Sequence, residues 1–329
     1  MKLLIGLLIG LLSSVSLAAQ TATKQGLVEY VIADKADSIR FYIYNPDNTA
    51  KTKIFLYIQG SGDLPMVNGD DAEACCYNNY PKKLMAAFPK EYAFVYIQKM
   101  GLPYYVRSLN DYKPGVKFIE RNNVIDRAHV ADKVVTYLTK KVYPKAKIVA
   151  VLGHSEGSDV AAKLAVNNKR VSHLGFSSGN GGSQALNDVL FLRRRMQKGE
   201  ISAAEAQARL EELYAGLEGV YKKPGSTTDY YNGDTYKWNS AINEPPLDNL
   251  LRLTIPILVT IGSNDDKVPV EASDYIRAEF IRHRKTNLTY KVYLNSNHNY
   301  LETAVDGKKI DHWNEMFMDF LKFVSEKEM

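Results

Sequence analysis

The chain has 329 residues, of which 45% are hydrophobic and 24% charged, and a formal net charge of +5. That length holds one large α/β domain or two small ones and buries a sizeable core. Lysines and arginines are scattered among acids, which leaves no basic footprint for nucleic acid.

Residues 1–19 read as a secretory signal peptide. Lys2 supplies a positive start, residues 3–12 an apolar stretch, and Ser16-Leu17-Ala18 a small-residue cleavage site. The stretch is too short and wrongly flanked for a stable membrane span. No cysteine follows the cleavage site for a lipid anchor, and no later apolar run approaches spanning length. The expectation is an exported protein, periplasmic or secreted, with one domain over 20–329. Cys75 and Cys76 are adjacent, with Cα atoms about 3.8 Å apart across a trans peptide. That is below the usual disulfide range, so free thiols and a strained vicinal disulfide both stay open. No neighbouring base favours a thiolate.

The patterning predicts strands over 27–32 and 39–44, joined without a helix, and then a turn at Asn45-Pro46-Asp47-Asn48. A buried strand over 53–59 runs into Gly60-Ser61-Gly62-Asp63. A helix over much of 81–88 and a strand over 92–98 follow. Apolar residues at Val124, Ile125, Ala128, Ala131, Val134, Val135 and Leu138 predict a helix over 121–143. The strand over 147–152 leads into Gly153-His154-Ser155-Glu156-Gly157 and an alanine-rich helix. A strand over 171–176 comes next.

From 183 to about 249 the alternation breaks. Ser202-x-x-Glu205 is a capping box opening a helix to about 217, and an aromatic, polar stretch follows. Alternation resumes with a strand over 256–261, a helix over 270–283, a strand over 288–294 and a helix over 310–324. The order implies an α/β fold with a doubly wound, mainly parallel sheet and an antiparallel first edge. Residues 183–249 then form a helical lid insertion over the carboxyl ends of the strands.

G-x-S-x-G between a strand and a helix is the pattern of a nucleophile elbow. Gly153 and Gly157 suit it because side chains there would collide with neighbouring backbone. Serine needs a base within hydrogen-bond reach, and histidine suits that task near neutral pH. A carboxylate then holds the imidazole in the right tautomer. His298 lies in Asn297-His298-Asn299 after the last strand, and Asp265 and Asp266 compete for the carboxylate's place.

With Gly153-His154-Ser155-Glu156-Gly157, Gly262-Ser263-Asn264-Asp265-Asp266-Lys267-Val268-Pro269 and Asn297-His298-Asn299 in that order, the chain resembles the α/β-hydrolase superfamily. The resemblance covers essentially all of the mature sequence. It implies that Ser155 is the nucleophile, His298 the base and Asp265, rather than Asp266, the acid. The implied oxyanion donors are the Glu156 amide and the loop after the strand over 53–59. Gln59-Gly60 stands there where the family usually has histidine–glycine, so the Ser61 amide is the nearest donor and its identity stays open.

His129, His154, His173, His283 and His312 show no metal-ligand spacing, so no metal and no cofactor are expected. Tyr104, Tyr105, Tyr231 and Trp238 are the substrate-contact candidates, since aromatics with polar tips suit an amphipathic ligand; they also suit a packed lid. The function expected is an exported serine hydrolase that cleaves carboxylic esters or thioesters through an acyl-enzyme. A serine peptidase of prolyl-oligopeptidase-like type is the alternative, followed by an inactive binding protein on the same fold. The expected partner is a small-molecule or peptide substrate. No nucleic acid, stable membrane insertion or obligate protein partner is expected.

Overall fold

Two strands build the edge of the sheet: on the second, Ile39, Phe41 and Ile43 face one core cluster and Tyr42 the other, while Val28 and Val31 of the first are exposed. The computed structural model describes residues 26–34, 37–44, 51–68, 84, 88–110 and 112–328. The expected leader, the turn at 45–48, Cys75, Cys76 and most of the helix expected over 81–88 lie outside the described residues.

Strand β1 (Leu27–Asp34) pairs antiparallel with β2 (Asp37–Tyr44). The next described strands are β3 (Lys53–Ile58), the short β4 (Val67–Asn68), β5 (Tyr92–Ile97) and the short β6 (Tyr105–Val106). The main sheet continues with β7 (Ile148–His154) and β8 (His173–Ser177). Its strand β3 lies parallel to β5 and β7, and β8 to β7. Strands buried along their whole length are what a parallel sheet covered on both faces requires. One face is covered by α2 (Val124–Tyr137) and α3 (Glu156–Asn167), whose Val134, Val160 and Leu164 pack under Ile54, Leu56 and Val151.

The helix expected over 121–143 is interrupted. Helix α1 (Val116–Arg121) ends first, and Asn123 opens α2 by accepting the Asp126 amide at 2.9 Å. Its last turn, Leu138–Val142, is π-helical.

The insertion contains α4 (Gln184–Gln197), α5 (Ala203–Lys222), a hairpin of β9 (Tyr230–Tyr231) and β10 (Asp234–Thr235), α6 (Tyr236–Ile242) and α7 (Pro246–Arg252). Ser202 Oγ accepts the Glu205 amide at 3.1 Å, as the capping box requires. The end of the insertion is no loose cover: Ala241, Ile242, Leu247 and Leu250 join the core around α2 and α3.

The sheet finishes with β11 (Ile257–Gly262), helix α8 (Val270–Arg282) and β12 (Leu288–Tyr293), giving the order β1-β2-β5-β3-β7-β8-β11-β12. The helix expected over 310–324 begins later. Residues β13 (Leu301–Thr303) and β14 (Lys309–Asp311) form an antiparallel pair closed at Gly307, whose φ of 81° suits glycine. Lys309–Asp311 is exposed, so a helix there would bury nothing. Asp311 Oδ1 instead accepts the Trp313 amide at 2.9 Å and starts α9 (Trp313–Glu326). Met316, Phe317 and Phe320 of α9 fill the second face against Phe55, Tyr57 and Phe94. Among the described residues no helix is long and apolar enough to cross a membrane.

Candidate active site

Ser155 sits between β7 and α3 at φ 55° and ψ −131°, a left-handed conformation rare for a side-chain-bearing residue. The turn is held by the Ser155 amide on Ser177 O at 2.9 Å and the Ser158 amide on Ser155 O at 2.8 Å. A Cβ on Gly153 would lie 2.1 Å from Gly157 O, and one on Gly157 would lie 2.2 Å from Ile58 O. Glycine is thus required where the elbow presses on itself and on β3.

The end of β3 comes up beside the serine. A Cβ on Gly60 would lie 3.1 Å from Ser155 Cβ. Ser61 follows Gly60, and Glu156 is the first residue of α3. Among the described residues neither the Ser61 nor the Glu156 amide has a protein acceptor.

The acid loop is fastened before it reaches the histidine. Asp265 Oδ1 accepts the Lys267 and Val268 amides, each at 2.8 Å. Both Asp265 oxygens lie 2.9 Å from His298 Nδ1. The Asp265 side chain is 0% exposed, whereas that of Asp266 is 59% exposed beside Lys267. Asp265 therefore partners His298, and Asp266 does not. A Cβ on Gly262 would lie 2.3 Å from Ser296 O, so glycine lets the acid and histidine loops close on each other.

His298 is also held through its carbonyl, which accepts from His154 Nε2 at 3.0 Å and Ser178 Oγ at 3.1 Å. A carbonyl only accepts, so the His154 proton sits on Nε2. Burial pushes the His154 imidazole down to about 3; the His298 ring acts in the same direction, and the hydrogen bond to the His298 carbonyl opposes. His154 is thus a neutral tether joining the elbow to the histidine loop. Trp313 meets its ring edge-on at 4.8 Å. Among the described residues, no hydrogen bond joins Ser155 Oγ to His298; such contacts are often loose before substrate binds.

Beneath the Ser61 loop lies a buried charged network. Arg127 Nη1 donates to Glu156 Oε1 at 2.7 Å and to Gly60 O at 3.4 Å, and its Nη2 donates to Gln59 O. Lys99 Nζ donates to Gly62 O at 2.7 Å. Burial alone would raise the Glu156 carboxyl, but the Arg127 and Lys99 charges and hydrogen bonds from Arg127 and Trp238 hold it below its ordinary value. Trp238 Nε1 reaches Glu156 Oε2 at 3.3 Å, linking α6 to the elbow.

Ser61, Gly62, Asp63, Phe118, Asp234 and Trp238 contribute to the walls of a cleft of about 450 Å³. Ser155 and His298 are not among those walls. Burial pushes the Asp234 carboxyl up to about 6, with Glu156 and Asp63 adding to it and Lys99 opposing.

Of the four aromatic candidates, only Trp238 lines this cleft. Tyr104 is buried in the core with its ring 4.4 Å from that of Tyr42. Tyr105 pairs with Val67 between β4 and β6. Tyr231 packs on α5, where a Cβ on Gly216 would lie 2.0 Å from its ring. Tyr104 and Tyr105 pack with the second core cluster, while the half-buried Tyr231 lines a separate cleft with Phe191, Arg195 and Glu212. Among the described residues, no group of histidines, cysteines and acids is arranged to hold a metal.

Arg127, Lys99 and His154 were not singled out by the sequence. The available signal was weak: Arg127 falls between Val124 and Ala131 on the apolar face of its helix, where a charge needs a buried partner.

Residues 213–328 match the profile of the prolyl oligopeptidase family. No curated protein sequence matches the chain. Among solved structures, Pyrococcus horikoshii acylaminoacyl peptidase is similar with a TM-score of 0.57 at 12% identity, over 92% of this chain and 41% of that one. The chain thus spans less than half of that peptidase. Est1E from Butyrivibrio proteoclasticus is similar with a TM-score of 0.53 at 13% identity, over 91% of this chain and 98% of that one. A Pyrococcus furiosus esterase has a TM-score of 0.52 at 14% identity, over 92% and 93%. The likeness to these structures is one of fold: a mainly parallel eight-stranded sheet with helices on both faces.

Proposed function

We propose that this protein is a serine hydrolase that cleaves carboxylic esters or thioesters through an acyl-enzyme, with Ser155, His298 and Asp265 as its triad. The carrying observation is the buried Asp265 carboxylate on His298 Nδ1, with His154, the residue before Ser155, tethering the His298 loop to the elbow. Ser155 Oγ attacks the substrate carbonyl as His298 Nε2 takes its proton, and Asp265 stabilises the imidazolium. The Ser61 and Glu156 amides receive the oxyanion. Collapse expels the alcohol or thiol, which takes the proton from His298. Water then attacks the acyl-enzyme by the same route, freeing the acid and restoring Ser155.

Cleavage of peptide or aminoacyl amides is the second reading. The prolyl oligopeptidase match favours it, as do Asp63 and Asp234 in the cleft beside Ser61, which suit an amine-bearing substrate. A fluorophosphonate probe tests for the nucleophile, and parallel assays with p-nitrophenyl esters and aminoacyl anilides separate the two readings. Absence of labelling together with absence of turnover on both panels would favour a binding protein. Export is proposed from the leader-like residues 1–19; retention of the full chain in the cytosolic fraction of the expressing cell would overturn it.

A further inference from the structure

We infer that Arg127 is a positioning residue for the oxyanion site, acting through the Gly60–Ser61 peptide. The inference rests on the proposed hydrolase reading.

The geometry begins at the main chain. In a trans peptide the carbonyl of one residue and the amide of the next point in opposite directions. The Gly60 carbonyl accepts from Arg127 Nη1 at 3.4 Å, on the buried side of the loop. The Ser61 amide in the same peptide plane therefore points away from the guanidinium. Gly60 itself is packed against Ser155, so this plane is adjacent to the nucleophile. The same guanidinium takes the preceding carbonyl, Gln59 O, and Lys99 takes Gly62 O at 2.7 Å. The loop is thus held by its carbonyls from below.

Arg127 ties the other proposed donor to the same point. Its Nη1 lies 2.7 Å from Glu156 Oε1, and the Glu156 amide opens α3. One planar, multidentate cation therefore fixes the loop and the elbow relative to each other, and lysine has no fork to do so. A cation on the Gly60 carbonyl also polarises that peptide and makes the Ser61 N–H a stronger donor. Arg127 touches no reacting atom; its effect passes through the Ser61 and Glu156 amides.

The test compares wild type, Arg127→Lys and the double variant Arg127→Met/Glu156→Gln, which leaves neither charge buried alone. Steady-state kinetics on a p-nitrophenyl ester are read beside affinity for an alkyl boronic acid, which forms a tetrahedral adduct, and beside thermal unfolding. The expected result is a roughly 10²-fold fall in kcat for the double variant with KM little changed, the size of losing one oxyanion donor. Boronate affinity should fall in step. Arg127→Lys retains the charge opposite Glu156 and should fall between the two. A folded double variant with wild-type kcat overturns the inference, as does Arg127→Lys with wild-type kcat if the double variant does not fold. A Ser155→Ala protein that still turns over would defeat the hydrolase reading instead, so the two failures are distinguishable.

Discussion

Both carboxylate oxygens of Asp265 lie 2.9 Å from Nδ1 of His298. The amides of Lys267 and Val268 hold one of those oxygens, so the carboxylate cannot turn away. Replacing Asp265 with asparagine puts an amide where the tautomer is set. The expected cost is roughly 10⁴ in kcat, as for a triad aspartate. Asp266→Asn should be mild, because among the described residues that side chain meets Lys267 and is otherwise in solvent. Steady-state kinetics of the two variants check this, and an inactive Asp266→Asn would reverse the assignment.

Ser155→Ala should abolish fluorophosphonate labelling and lower turnover on the order of a million-fold, leaving the catalysis of binding and the oxyanion site. The fold should persist, and the variant should be no less stable than wild type, since among the described residues the hydroxyl of the half-buried Ser155 makes no hydrogen bond that alanine would lose. Retention of more than about a tenth of wild-type turnover would contradict a role set at this magnitude.

Gly157→Ala should destabilise the whole domain. The new Cβ would lie 2.2 Å from Ile58 O and 2.6 Å from Gln59 O, both main-chain atoms that cannot swing aside. Overpacking of this kind costs about 1–3 kcal/mol or more. Gly115→Ala is the control, because nothing lies within 4 Å of a Cβ there. Urea unfolding should separate the two; equal midpoints would show that β3 can retreat from the elbow.

Lys99 predicts a pH dependence of stability. Burial pushes its ammonium down to about 7, with Arg127 acting in the same direction and the Glu156, Asp63 and Asp234 carboxylates opposing. An unfolded lysine titrates near 10.4. Between those values the unfolded chain keeps a proton that the folded chain has released, so this group makes stability rise with pH from about 7 to 10. Below that window both states are charged and the burial penalty stands in full. Lys99→Met should remove this rise. Unfolding curves of both proteins across that window test it; a stability difference that does not change with pH would mean that Lys99 stays charged in the folded protein.

The insertion should divide into residues that tune the substrate and residues that hold the fold. Trp238 and Tyr230 line the cleft beside Ser61, while Tyr231 fills the space over Gly216 on α5. Alanine at Trp238 or Tyr230 should change kcat/KM unevenly across acyl chain lengths. Alanine at Tyr231 should instead lower stability by about 2 kcal/mol or more and leave the preference pattern unchanged. A uniform loss across all substrates for the Trp238 variant would point to damaged packing.

The elbow, the acid and the histidine were legible because each sits in a short local pattern whose spacing carries its chemistry. Tyr104 was not, since an aromatic residue after a strand reads alike whether it faces a ligand or a core. Its partner Tyr42 comes from β2, far away in sequence. Arg127 and Lys99 were hidden for another reason: they bind main-chain carbonyls at 59, 60 and 62, and a carbonyl has no residue type. Ile310 continued the apolar pattern of the last helix, but residues 309–311 pair with 301–303, and that pairing claimed the backbone.

The protein's two tryptophans both report on the same turn. Trp238 reaches the residue after Ser155 through its indole N–H, and Trp313 stacks edge-on against His154, the residue before it. The unlabelled chain therefore carries its own optical gauge. A change of charge or packing at the elbow alters the surroundings of each indole, so intrinsic fluorescence can time acylation and deacylation with natural, colourless substrates.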